Sequence, residues 1–183
     1  MKISRIIYLA LFISLCSFVQ EDILFKNDKA ASTMTVAGTS TLHDWTADVT
    51  NFDISVLTHG NGILDIDLTA LSGSLKSGHS GMDDNMYKAL KTTEFPKITF
   101  SAKNVVRQGY NLNGLGNLTI AGVTRQIKLT STYEQWNEHS YKVKGSITFK
   151  MTDFNITPPT AMMGTIKTGD KITIKFEVSM LKQ

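Results

Sequence analysis

Strict alternation of apolar and polar residues limits this chain more than any other feature. Between residues 171 and 180, Ile172, Ile174, Phe176, Val178 and Met180 hold one parity and Lys171, Thr173, Lys175, Glu177 and Ser179 the other. Successive side chains of a strand point to opposite faces, so the pattern demands a strand with one buried and one wet face. Residues 142–152 repeat it, with Val143, Gly145, Ile147, Phe149 and Met151 set against Lys142, Lys144, Ser146, Thr148, Lys150 and Thr152. Leu64, Ile66 and Leu68 alternate with Asp65, Asp67 and Thr69. Weaker alternation marks 34–37, 45–57, 97–105, 112–120 and 126–133, which brings the expected strands to eight. In 45–57 the parity slips between Val49 and Phe52, which predicts a bulge or a corner.

The connections carry turn chemistry: His59-Gly60-Asn61-Gly62, Gln108-Gly109, Ala121-Gly122 and Thr168-Gly169-Asp170. Links this short join antiparallel neighbours. Residues 81–92 break the pattern with a helical period that puts Met82, Met86, Ala89 and Leu90 on one stripe. Asp83 and Asp84 come first and Lys88 and Lys91 last, matching the helix dipole, with Ser80 or Gly81 as the cap. Pro96 then imposes an extended entry into the next strand. Closing such a sheet removes its exposed edges, so the expected fold class is all-β, an eight-stranded antiparallel barrel with one short helix. Gly114, Gly116 and Gly145 fall on the apolar face, where glycine marks either strong coiling of the sheet or room for something that is not protein.

Residues 1–20 read as an export signal: Lys2 and Arg5 precede an apolar run over 6–19 that is short for a bilayer span. Ser14-Leu15-Cys16 offers a small-x-small cleavage pattern. An uncleaved anchor and a lipidated Cys16 are the alternatives, the second disfavoured by Leu15. Cleavage after Cys16, the single cysteine, leaves a thiol-free mature domain over 21–183, suited to a periplasmic or secreted location. At 183 residues, 42% hydrophobic and 19% charged, the chain has the composition of one globular domain rather than of a disordered or multi-span protein. Its formal charge of +3 drops to about +1 without Lys2 and Arg5. No basic stripe remains for a phosphate backbone, which excludes nucleic acid as a partner.

The residues that carry chemistry give little sign of an enzyme. His43, His59, His79 and His139 show no metal-ligand spacing, and neither a metal nor a cofactor is expected. His43 and Asp44 are neighbours and would point to opposite faces of a strand, so a histidine bonded to a backbone carbonyl is expected. His59 and His139 sit in polar turns and are expected to be solvated. Ser77, His79 and Ser80 lie in a loop without a nucleophile elbow. Asp83 and Asp84 read as a helix start rather than a calcium loop. No catalytic residue is expected. By parity the inward residues are Ile66, Leu68, Phe100, Leu118, Ile127, Leu129, Ile147, Phe149, Ile174 and Phe176. Met82, Met86, Met151, Met162 and Met163 gather around the helix and the 157–164 loop, where polarizable side chains repack around apolar ligands or fill gaps in a core.

Several of these segments resemble the YceI-like family of secreted, lipocalin-like bacterial proteins that bind polyisoprenoid lipids. The carrying residues are Glu94-Phe95-Pro96-Lys97-Ile98-Thr99-Phe100, Gly116-Asn117-Leu118-Thr119-Ile120-Ala121-Gly122-Val123-Thr124 and Thr152-Asp153-Phe154-Asn155-Ile156, with Gly38-Thr39-Ser40-Thr41-Leu42-His43-Asp44-Trp45 before them. In place of the family's R-D-x-H-L-like stretch the chain reads Met82-Asp83-Asp84-Asn85-Met86-Tyr87-Lys88-Ala89-Leu90. The resemblance implies an up-and-down barrel that holds a long apolar chain, of quinone or polyprenyl type, along its axis, with the helix near one mouth. It implies a binding protein or carrier rather than an enzyme, with His43, Trp45 or Tyr87 near a polar head group. The expected partner is an isoprenoid-like lipid or another apolar amphiphile, with no integral span in the mature form. Homodimer formation is left open, and so are a filled barrel acting as an interaction module and an enzyme acting on an amphiphile.

Overall fold

The computed structural model describes residues 21–60 and 62–183, so the expected export segment over 1–20 lies outside the described residues. Its strands are β1 (Ile23–Asn27), β2 (Thr33–Ser40), β3 (Trp45–Val49), β4 (Phe52–Thr58), β5 (Ile63–Leu71) and β6 (Leu75–Lys76). After the helix α1 (Ser80–Leu90) come β7 (Lys97–Gln108), β8 (Asn111–Ile120), β9 (Val123–Asn137), β10 (Ser140–Lys150), β11 (Thr160–Ala161) and β12 (Ile166–Lys182). Eight of these close an antiparallel ring in the order β1, β4, β5, β7, β8, β9, β10 and β12, with β12 returning to β1. The expected all-β barrel with one helix is the observed fold.

The ring closes because β12 is long enough to pair with β10 on one side and with both β2 and β1 on the other, besides the short β11 near its start. Its whole length pairs with β10, from Lys150↔Lys171 to Ser140↔Leu181. On its other side its middle pairs with β2, as in Met34↔Phe176, and its end pairs with β1, as in Phe25↔Lys182. Residues 28–32 interrupt the run from β1 to β2. There Ser32 Oγ accepts from the Ser179 N–H at 3.1 Å, and Asp28 N–H donates to the Ser179 carbonyl. β1 escapes a reading by alternation because Ile23, Leu24 and Phe25 form a continuous apolar triplet.

The parity slip at Val49 and Phe52 is a corner. β3 ends at Val49 and pairs with β2 and β6, whereas β4 starts at Phe52 and pairs with β1 and β5. The corner is pinned by Ser74, whose carbonyl accepts from Thr50 N–H and whose Oγ accepts from Asn51 N–H. Alternation through Thr152 also overruns the structure. β10 stops at Lys150, and Asp170 draws the chain aside by accepting from Thr152 N–H at 2.9 Å and Thr152 Oγ1 at 2.7 Å.

The core lies inside the ring, with Val105, Phe154, Val178 and Met180 almost wholly shielded from water. The inward glycines have a cause that neither coiling nor empty space covers. Side chains from neighbouring strands lie across them: Val105 over Gly114, and aromatic rings over Gly38, Gly116 and Gly145. A Cβ at Gly38 would meet the Trp45 ring at 2.5 Å, one at Gly145 would meet Phe176 Cζ at 2.5 Å, and one at Gly116 would run into the Phe100 ring. Glycine here makes room for a cross-strand side chain, which shields the bare backbone in return.

α1 sits across one end of the barrel. Asp83 and Tyr87, one turn apart, tie the helix to β6 and to the residue that follows it. Asp83 Oδ1 accepts from Ser77 N–H at 2.8 Å and Ser77 Oγ at 2.6 Å, and Tyr87 Oη donates to the Leu75 carbonyl at 2.7 Å. The Ser77 hydrogen bonds hold the Asp83 carboxyl below its ordinary range. The helix stops at Lys91, which takes a left-handed φ of 50° while Thr92 N–H returns to the Tyr87 carbonyl.

Candidate ligand cavity

Two cavities follow each other along the barrel. The inner one, about 120 Å³, lies in the half remote from α1. The outer one, about 420 Å³, lies under α1 and is rimmed by the 40–45 and 159–168 segments. Val36, Leu75, Ile98 and Ile174 line both, so the cavities share a common wall. The lining residues include no Asp, Glu, Lys or Arg. A space this apolar favours uncharged guests, because a charge placed there would lose its hydration without gaining a counter-charge.

Eight of the ten residues expected to point inward line the inner cavity: Ile66, Leu68, Phe100, Leu118, Leu129, Ile147, Ile174 and Phe176. Phe149 lines the outer cavity, its ring edge-on to Phe154 at 5.0 Å. Ile127 packs against the core but belongs to neither set of lining residues. His43 and Trp45 stand at the outer cavity. The His43 Nδ1 lies 2.7 Å from the Asp44 carbonyl oxygen, and Trp45 Nε1 donates to the Thr39 carbonyl at 3.2 Å. Tyr87 lines neither cavity, since its hydroxyl is turned to Leu75 and its ring lies under the Lys76 ammonium at 5.2 Å.

The helical stripe of Met82, Met86, Ala89 and Leu90 forms the roof of the outer cavity, joined by Met151 from across the barrel. Met162 and Met163 depart from the expected methionine cluster. Both are strongly exposed, in left-handed backbone with φ of 49° and 54°. Two histidines expected to be solvated also separate. His139 is exposed, but His59 bridges two carboxylates, with Nδ1 3.0 Å from Asp22 and Nε2 3.3 Å from Asp65. Hydrogen bonds to Asp65 and then Asp22 raise its pKa above the usual 6.5.

Parity could have found more of the wall than was expected from it. Val143 and Tyr141 continue the row of Ile147 on β10, Ile98 precedes Phe100 by two on β7, and Ser131 follows Ile127 and Leu129 on β9. Ser131 and Tyr141 are the two side chains with hydroxyls among the residues lining the inner cavity. Tyr141 packs edge-on against Phe25 at 4.8 Å, and burial pushes its phenol well above the usual range, so it stays neutral. Ser131 is 3% exposed, and its Oγ is the one fully buried side-chain polar atom among the described residues with no hydrogen-bond partner. Such an orphan costs on the order of 1–3 kcal/mol.

A family model described as the YceI-like domain matches residues 20–180. Protein YceI of Salmonella newport is 30% identical over 101 residues, which cover 50% of this chain and 52% of that protein. A UPF0312 protein of Pectobacterium carotovorum is 29% identical over 99 residues, with the same coverage. The chain spans about half the length of the curated relatives it matches. Among solved structures, BcnA of Burkholderia cenocepacia superposes with a TM-score of 0.72 at 18% identity, covering 84% of this chain and 98% of that one. A polyisoprenoid binding domain from Saccharophagus degradans, implicated in plant cell wall breakdown, gives 0.68 at 14% identity, covering 87% and 98%. At these identities the two structures bear on the fold alone. The family model spans nearly all of the described residues, from before β1 to Met180 in β12, and the chain belongs to the YceI-like domain family.

Proposed function

We propose that this chain is a binding protein or carrier for a long, apolar, isoprenoid-like lipid of quinone or polyprenyl type, held inside the barrel, and that it works in the periplasm or outside the cell. The observation that carries the reading is the pair of adjoining cavities, walled by aliphatic and aromatic side chains and free of Asp, Glu, Lys and Arg. A packed barrel would leave no such space. Burying about twenty carbons gains on the order of 16 kcal/mol gross at about 0.8 kcal/mol per methylene. Ordering and association remove much of that, which still leaves room for useful affinity. Support also comes from the family and from a structural neighbour that is itself a polyisoprenoid binding domain. A non-enzymatic role fits a cavity without a paired acid and base. Location outside the cytoplasm rests on the sequence of residues 1–20.

Native mass spectrometry of the protein from its own cell envelope, followed by solvent extraction, tests the reading. A stoichiometric adduct with isoprenoid mass spacing is the expected result. A clean apo mass, together with no uptake of offered quinones or polyprenols, would favour a barrel that serves as an interaction module.

A further inference from the structure

We infer that Ser131 is a hydrogen-bonding subsite for an uncharged acceptor, such as a carbonyl or ether oxygen, on the part of the ligand that reaches the inner cavity. The inference rests on the lipid-binding reading above and names the chemistry its ligand must carry. Ser131 interrupts an otherwise apolar inward row on β9, after Ile127 and Leu129. It lies opposite Leu112 on β8 and Gly145 on β10. Neither neighbour brings a side-chain polar atom, and the Phe176 ring packs over Gly145. Its Oγ therefore has no protein partner although the residue is 3% exposed.

A buried hydroxyl without a partner is selected against unless something else meets it. Water is a poor candidate, since a buried water typically makes about three hydrogen bonds and the inner cavity offers two hydroxyls at most among aliphatic and aromatic walls. A ligand oxygen needs only one donor. The absence of Lys and Arg from the lining residues restricts that oxygen to a neutral group, because a phosphate or carboxylate would arrive without a counter-charge. An apolar chain bearing a neutral oxygen satisfies both the walls and Ser131.

The test compares two probes of equal length on the full mature chain: geranylgeranylacetone, and the hydrocarbon in which a methylene replaces its carbonyl. Ser131→Ala should weaken binding of the ketone about fivefold relative to wild type. The hydrocarbon should lose less than about twofold on the same substitution, and Ser131→Thr should hold the ketone nearly as wild type does. The infrared band of a ¹³C-labelled carbonyl should sit at a hydrogen-bonded frequency in wild type and move up in Ser131→Ala. The alanine variant loses only an unpartnered hydroxyl, so its apo form should melt no lower than wild type. A ketone affinity and a band unchanged by Ser131→Ala would overturn the assignment, as would an equal loss for the two probes. Failure of wild type to take up either probe would instead bring down the lipid-binding reading itself.

Discussion

Gly145 on β10 stands directly opposite Phe176 on β12, and the Phe176 ring occupies the space that a side chain at 145 would need. The pair sets the width of the inner cavity, because the ring is held against the wall only while 145 stays bare. Gly145→Ala would place a Cβ 2.5 Å from Phe176 Cζ and 2.9 Å from Ser131 Cβ. The ring has to swing inward, at a cost of about 1–3 kcal/mol for overpacking. The expected outcome is a lower melting temperature with reduced lipid uptake. Adding Phe176→Leu should restore part of the stability, a coupling that a double-mutant cycle reads directly.

Charged substitutions separate the two cavities. Phe176→Lys puts an ammonium in the inner cavity and Phe149→Asp a carboxylate in the outer one. Each should cut uptake of a long isoprenoid chain by at least about tenfold, since an unpaired charge in an apolar site is costly. Circular dichroism checks that the variants fold. Normal uptake by a folded variant would remove that cavity from the ligand's path.

The clasp between Tyr87 and Leu75 predicts a kinetic effect. Tyr87→Phe keeps the ring beneath Lys76 and loses the 2.7 Å hydrogen bond to the Leu75 carbonyl together with the hydroxyl's interaction with the Lys76 side chain. Stability should fall by about 1 kcal/mol. Because α1 roofs the outer cavity, release of a bound fluorescent lipid, followed by stopped flow, should quicken more than equilibrium affinity falls. Release at the wild-type rate would show that α1 does not gate the cavity.

His59 predicts a pH dependence with a defined sign. Its pKa in the folded chain is raised above 6.5 by Asp65 and Asp22, so the folded state favours the imidazolium. The contribution is therefore full below 6.5 and is lost as pH rises through the raised folded value. For Asp65, burial acts upward but is outweighed by the Asn104 N–H, His59 and Lys103, and the net shift is below 3.8. The bridge thus survives until pH falls well into the acid range. The difference in melting temperature between wild type and His59→Asn should be largest on the acid side of 6.5 and shrink above it. A difference that does not vary with pH would show that the bridge contributes nothing.

Local pattern was enough to place most of the strands, the helix and much of the cavity wall. Alternation is a property of a few consecutive residues, and one buried face forces it wherever a sheet has a core side. That is why 64–70, 112–120 and 171–180 fall inside observed strands, and why the Met82, Met86, Ala89 and Leu90 stripe became the cavity roof. Other features depend on partners far away in the chain. β1 is held by β4 and by the end of β12, pairings that no local period encodes. His59 finds Asp22 across 37 positions. The inward glycines carry a sequence signal, but its meaning comes from side chains on neighbouring strands, rings at Gly116 and Gly145 and Val105 at Gly114.

The sequence by itself determined the class of fold, the register of inward and outward faces and the uncharged character of the interior, because each follows from which side chains alternate. Tertiary structure alone decided that the ring closes through β1 and β12, that the interior keeps two adjoining cavities, and that Ser131 is left without a partner. Packing and hydrogen bonding are settled by atoms brought together from distant strands, and a side chain's own position in the sequence does not say which atoms those will be.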